Sequence, residues 1–208
     1  MASLFNPAEE NDVRLHAPAT ARNRDVILDV LKEHLPAEGT FYEIAAGSGE
    51  HALYFSDAFP DVIWHPTDID ESHLNSINAW RAHSGTQNLQ EALYFNVLEN
   101  QFPDKTDAIL AINLIHIAPW RVAEILIEKA GNALKTGGTL FLYGPYQQNG
   151  AHTSDSNADF DISLKSRNPE WGIRHMEEVT SLAIKNGFDA PAVIPMPANN
   201  FSLVFKRK

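Results

Sequence analysis

The residues best placed to do chemistry open the segment FYEIAAGSGEHA, where Glu43 is followed four positions later by Gly47-x-Gly49. Glycines have no Cβ, so a turn built on them lets the backbone approach a ligand closely. Read alone, Gly47-x-Gly49-x-x-Ala52 fits the G-x-G-x-x-A form of the dinucleotide fingerprint. Glu43 separates the possibilities. A carboxylate at that place repels a pyrophosphate and attracts a cofactor bearing an α-ammonium and a sulfonium. The pattern therefore points to S-adenosylmethionine, with S-adenosylhomocysteine as the product form.

Further polar residues recur at matching places along the chain. Asp68 follows Gly47 by 21 residues, the spacing at which an acid accepts hydrogen bonds from ribose hydroxyls, and Ile69 beside it would flank the adenine. Asp70 competes for the ribose role, and both acids also read as a cap for the helix that starts at ESHL. Asn96 is expected at the adenine edge with Val97 against the ring. Asn113 and His116, in AINLIHI, are expected near the methyl group, with His116 as a general base or, equally, as a buried histidine bonded to backbone. Tyr146, after Gly144-Pro145, is expected to touch the methionine arm or the acceptor. Nine histidines without an H-E-x-x-H or H-x-H pairing predict no metal site.

Strands and helices must position these groups. Pro18 opens and Pro36 follows a first helix, whose Ile27, Leu28, Leu31 and Leu35 share one face. Strands are expected at TFYEIA, DVIWHPTDID, LQEALYFNV, TDAILAINLIHI and TLFLYGPY, alternating with helices. The helix PWRVAEILIEKAGNALK is expected to stop at Gly137-Gly138. The last two strands, around PAVIPM and NFSLVFK, follow the final helix as an antiparallel hairpin. Alternation implies a parallel sheet with ligands at the carboxyl ends of its strands. The terminal hairpin distinguishes a methyltransferase layout from a plain dinucleotide fold. The expected fold is thus α/β, a class I methyltransferase Rossmann-like fold. It has a seven-stranded, mostly parallel sheet with a C-terminal antiparallel hairpin strand and helices on both faces.

The spacing around Glu43 resembles the first motif of class I methyltransferases, D/E-x-G-x-G-x-G, with Ala45 in the place of the first glycine. The chain as a whole also resembles the methyltransferase-like 26 proteins. That resemblance runs from ARNRDVIL through E-x-A-x-G-S-G-x-H, which ends at His51, and W-x-P-x-D-x-D to YGPY, SNADFD, RNPEWGIR and MPANN. It implies a methyltransferase fold and activity, with no settled acceptor. Ala45 and His51 join Glu43, Gly47, Gly49, Asp68, Ile69, Asn96, Val97 and Asn113 as expected cofactor contacts. By family analogy, the segment holding Arg14, Arg22, Asn23 and Arg24 folds over the cofactor.

Composition bounds the partners. A net charge of -11, from 27 acids against 16 bases, disfavours binding to nucleic-acid backbones. With no cysteine, no apolar run of membrane-spanning length and no charged start before an apolar core, a cytoplasmic location is the default. A single methyltransferase domain is expected over residues 1–208, with an N-terminal arm and helix at 1–36. The acceptor is expected to be a small molecule, and the oligomeric state is open. Residues 144–174 carry little periodicity and are expected to form an acceptor lid. In it, Asn157 and Asp161 would share one helical face as acceptor contacts, and Asp161 would join His116 and Tyr146 in catalysis. Phe160 would pack inward, with Ile162, Leu164 and Trp171 as further anchors, and Arg174 would hold the lid closed through an ion pair. Two other functions compete: a catalytically silent cofactor-binding partner protein, and a nicotinamide-dependent oxidoreductase, which Glu43 disfavours.

Overall fold

Strand β1 (Glu38–Ile44) buries Phe41, Tyr42, Glu43 and Ile44 in succession. Unbroken burial, in place of alternation, marks a strand covered on both faces. The computed structural model describes residues 6–7 and 12–208. Residues 1–96 and 97–208 form two compact units. Of the expected N-terminal arm, residues 1–5 and 8–11 lie outside the described residues, and Leu15–His16 pairs antiparallel with Asn6–Pro7.

In the first unit, helix α1 (Pro18–His34) precedes β1 and buries Ile27, Leu28 and Leu31, as its apolar spacing predicts. Helix α2 (Glu50–Ala58) leads to β2 (Asp61–Asp68), which pairs parallel with β1 in the register Phe41↔Trp64. The Trp64 ring is fully buried against Phe41, Phe55 and Phe59. Helix α3 (Glu71–Ser84) is capped by Asp70, which accepts from Ser72 N at 2.8 Å. The strand expected over LQEALYFNV is reduced to β3 (Leu93–Tyr94), parallel to β2, with Leu89 bridging to Trp64.

The second unit begins its regular structure with β4 (Thr106–Ile112), buried at every position. It stops short of the expected LIHI extension because Asn113 turns into the left-handed region at φ 56. Helix α4 (Trp120–Ala133) ends before Gly137-Gly138, which do not cap it. Instead Gly137 N donates to Arg207 O and Arg207 N donates to Gly138 O. These bonds draw the segment into β5 (Leu134–Gln148), which runs parallel to β4. Helix α6 (Met176–Lys185) leads to the terminal hairpin, β6 (Ala192–Met196) and β7 (Asn200–Lys206), with β7 antiparallel to β5.

Residues 144–174 are more regular than their composition suggests. β5 continues to Gln148, and a turn at Asn149 (φ 51) and Gly150 (φ 75) folds Ala151–His152 back on it. Two left-handed residues in a two-residue loop match the twist of paired strands. Helix α5 (Asp155–Arg167) follows, with Ser154 Oγ accepting from Asn157 N. Arg174–His175 then pairs parallel with Tyr146–Gln147. Among the described residues no helix is long and apolar enough to cross a membrane.

Gly49 starts α2 at φ 88, and a Cβ there would lie 2.9 Å from Ile77 Cα. Gly85 is left-handed too, at φ 70, but a Cβ there meets nothing within 4 Å. Denaturant unfolding should show Gly49→Ala losing about 2–4 kcal/mol, backbone strain plus overpacking, and Gly85→Ala only about 1 kcal/mol. Equal losses would show that the contact with Ile77 does not constrain the turn.

Candidate functional site

The turn between β1 and α2 is built on three left-handed residues, Ala45 (φ 55), Gly47 (φ 59) and Gly49 (φ 88). Asp68, buried at the end of β2, fastens it. Its Oδ2 accepts from Gly47 N at 2.9 Å, and its Oδ1 accepts from Ile69 N at 2.8 Å and Asp70 N at 3.0 Å. His73 Nδ1 lies 3.1 Å from the same Oδ1. Burial would raise the Asp68 pKa, but the bonds from His73, Asp70 and Gly47 outweigh it and hold the group below the usual carboxylate range. His73 is raised in turn, chiefly by its bond to Asp68. Of the two acids that compete for the ribose role, Asp70 is the helix cap, and Asp68, which ends the apolar strand, organises the turn.

Glu43 is buried, and among the described residues its hydrogen-bond donor is Trp64 Nε1 at 2.9 Å. Burial pushes its pKa up to about 8, with the Asp68 charge adding and the Trp64 bond opposing. The permanent carboxylate assumed from the sequence is therefore corrected: near neutral pH this acid is mostly protonated and ionises when a cation stands beside it. Ile69 is 62% exposed, an apolar side chain left in water directly after Asp68. Asn96, half-buried, ends the first unit.

His51, the last residue of the E-x-A-x-G-S-G-x-H stretch, is bonded within the protein. Its Nε2 pairs with Asn23 Oδ1 at 2.9 Å, its ring stacks on Phe55, and burial together with Arg24 draws its pKa down to about 4. It is a neutral link between α1 and α2. Arg24 lies over the Tyr54 ring and Arg14 over Trp80. The residue that holds the N-terminal arm at the turn is Glu50, which the sequence reading missed. Glu50 accepts from Ala17 N at 2.6 Å and Ser48 Oγ at 3.1 Å, and pairs with His16 Nδ1 at 2.7 Å. An acid next to a motif glycine was the available signal.

In the second unit, Val97 is buried and its carbonyl accepts from Lys129 Nζ at 2.7 Å. Asn113 N donates to Tyr143 O at 2.9 Å. His116 is buried edge-on to Phe160, and a Cβ on Gly144 would lie 2.9 Å from its Cε1. Burial, with Arg174 and Arg167 nearby, draws the His116 pKa down to about 3. The general base expected from a near-neutral histidine is corrected to a neutral ring of low basicity. Its Nδ1 and the Tyr146 hydroxyl are buried polar atoms without a hydrogen-bond partner among the described residues. Burial also raises the Tyr146 pKa well above the ordinary tyrosine value.

Asn157 and Asp161 do share the buried face of α5, with Leu164. Both, however, are already bonded within the protein. Asn157 Nδ2 donates to Thr153 Oγ1 and to Asn199 O, each at 3.0 Å. Asp161 accepts from Ile173 N at 2.7 Å and Lys165 Nζ at 2.6 Å, with His152 Nε2 at 3.5 Å. Arg174 makes no ion pair among the described residues; it donates to the carbonyls of Ile115, Ala118 and Glu170. The closing ion pair is thus replaced by three backbone clamps. Phe160, 36% exposed, sets its ring edge-on to buried His116, whereas Ile162 is 68% exposed and is no anchor, because Asn157 and Asp161 occupy the buried stripe.

A family model described as a protein of unknown function, DUF938, matches residues 14–207. Among solved structures, an O-methyltransferase family 2 protein from Planctomyces limnophilus in complex with apigenin is similar at TM-score 0.77 and 18% identity, over 91% of this chain and 58% of that one. Human N-acetylserotonin methyltransferase in complex with S-adenosylmethionine is similar at TM-score 0.75 and 12% identity, over 91% and 52%. Mitomycin 7-O-methyltransferase is similar at TM-score 0.76 and 16% identity, over 92% and 55%. This chain spans little more than half the length of these proteins. The likeness is one of fold: parallel strands with a C-terminal antiparallel hairpin, the class I methyltransferase architecture.

Because Glu43 binds its proton more tightly folded than unfolded, its contribution to stability is full below about pH 4.5. It is lost as pH rises toward about 8. Thermal unfolding across pH 5 to 9 should show wild type losing stability relative to Glu43→Gln by a few kcal/mol. Parallel profiles for the two proteins would contradict a buried, protonated Glu43.

Proposed function

The chain belongs to the DUF938 family, and we propose that it is an S-adenosylmethionine-dependent methyltransferase acting on a small-molecule acceptor. The observation that carries the proposal is the left-handed turn fastened by Asp68 with a buried acid, Glu43, behind it. The fold of the solved O-methyltransferases supports it. We further propose that the family likeness extends to the methyltransferase-like 26 proteins, that residues 1–208 act as one methyltransferase domain, and that the protein works in the cytoplasm.

The residues suit the cofactor chemically. Glu43, short of donors and ready to ionise, would receive an α-ammonium. Gly47 and Gly49 would let the backbone approach the cofactor, Asp68 would take the ribose, and exposed Ile69 would cover an adenine face. Asn96, Val97 and Asn113 complete the proposed set. When bound, the cofactor supplies an electrophilic methyl group on sulfur. The protein's part is to orient the acceptor and exclude water. His116 Nδ1 and the Tyr146 hydroxyl, buried without partners, would each gain a hydrogen bond from an acceptor placed against them. With its pKa drawn down to about 3, His116 would orient the acceptor, and the proton that the acceptor sheds on methylation would pass to solvent water.

Titration calorimetry with S-adenosylhomocysteine tests the site. Asp68→Ala should weaken binding by about 1.5–3 kcal/mol, the loss of charge-assisted hydrogen bonds. Asp70→Ala should bind within about twofold of wild type and lose about 1 kcal/mol of stability with its cap. Equal affinity for wild type and Asp68→Ala would count against the proposal. Turnover is read as S-adenosylhomocysteine formed from S-adenosylmethionine with fractionated small metabolites; tight binding without any product would leave a silent binding protein.

A further inference from the structure

A cleft of about 410 Å³ opens in the second unit, between the hairpin at the end of β5 and the turn joining β6 to β7. We infer that it takes the methyl acceptor, and that the acceptor is an uncharged molecule with a flat apolar face and hydrogen-bonding groups at its edge. The substrate class rests on the methyltransferase reading; the existence of the binding site does not.

The lining sets the chemistry. Gln148, Asn149, Thr153, Asn199 and Asn200 present amides and a hydroxyl, and Pro195, Met196 and Phe201 supply an apolar wall. His152 is the one titratable residue among them, and its Nε2 faces Asp161 Oδ2 at 3.5 Å. Among the described residues no Asp, Glu, Lys or Arg lines the cleft, and the carboxylates next to it are already engaged, Glu177 by the Asn149 amide and Asp161 by Lys165 and the Ile173 amide. A charged ligand would shed water there without meeting an opposite charge, which is costly, whereas amide and hydroxyl groups can exchange hydrogen bonds with a neutral one.

The cleft is also held open by design of the backbone. One side is the relaxed Asn149-Gly150 hairpin turn, while Ala198 and Asn199, in the turn that forms the other side, both sit in the left-handed region, at φ 56. Such strain in non-glycine residues persists where surrounding bonds over-determine it. Asn157 supplies those bonds, since its Nδ2 ties Asn199 O on one side to Thr153 Oγ1 on the other. Asp161 does the same for His152. The two residues of α5 expected to touch the acceptor are thereby positioning residues, and the MPANN stretch, Met196–Asn200, gains a role as one wall of the cleft.

The test uses three probes with one ring and different charge: 4-hydroxybenzamide, 4-hydroxybenzoate and tyramine. They are titrated into ¹⁵N-labelled wild-type protein and followed by amide chemical shifts. The neutral amide should shift Asn149, His152, Thr153, Asn199 and Asn200 with a dissociation constant of about 1 mM or tighter, and both ions should bind at least about fivefold more weakly. Asn157→Ala should weaken the neutral probe about fivefold or more while its affinity for S-adenosylhomocysteine stays as in wild type. If that variant does not fold, the wild-type shift map decides alone. Shifts confined to other residues, or equal binding of the ions, overturn the inference. Failure to bind S-adenosylhomocysteine overturns instead the methyltransferase reading.

Discussion

A chain that must pass from the buried end of β1 at Ile44 to the start of α2 at Glu50 has five residues in which to reverse its hydrogen bonding. It does so by placing three of them in the left-handed region, and the remaining strain is held by one carboxylate, Asp68, accepting the Gly47 amide. Other features of the first unit follow from this fastening. Gly49 has to be glycine because Ile77 of α3 lies against it, and Ser76 beside Ile77 donates to Ser48 O in the same turn. Glu50, the first residue of α2, is placed to hold the N-terminal arm through Ala17 N. Ala45 bears a left-handed conformation that costs a non-glycine residue about 1 kcal/mol or more. The turn accepts that cost, which is why a motif commonly met with glycine there still closes.

In the second unit the organising feature is polar where a core is usually apolar. The stripe of α5 that faces inward reads Asn157, Asp161, Leu164, and the two polar members are satisfied by Thr153, Asn199, Ile173 and Lys165. Buried groups of this kind contribute little net stability but specify one arrangement, because any other leaves them unpaired. They set the turns around the cleft, whereas His116 Nδ1 and the Tyr146 hydroxyl are left without partners in the buried interior. Satisfied polar groups thus build the walls of the cleft.

Much of this was legible in the residues. The α1 stripe, the alternation of strands with helices and the terminal hairpin all follow from apolar periodicity and from proline and glycine placement. Asp68 was separable from Asp70 by its position at the end of an apolar strand. Other features escaped. Helix α5 escaped because two of its three buried stripe positions are polar, so apolar periodicity does not register it. The hairpin at Asn149-Gly150 carried a strong turn signal that the loop-like composition around it obscured. The end of α4 escaped because Gly137 and Gly138 serve a strand whose partner, Arg207, lies at the far end of the chain. The charge states of Glu43, His51 and His116 also depend on burial, which residue type alone does not report.

The central claim is that the turn, with Glu43 behind it, is built for a nucleoside carrying an amino acid's α-ammonium and not for a pyrophosphate. Calorimetric titration of the wild-type protein with S-adenosylhomocysteine and with NAD tests it most directly. S-adenosylhomocysteine should bind in the micromolar range or tighter, at least about 100-fold more tightly than NAD, a difference of about 2.7 kcal/mol. NAD binding as tightly as S-adenosylhomocysteine, or neither binding at all, would contradict it.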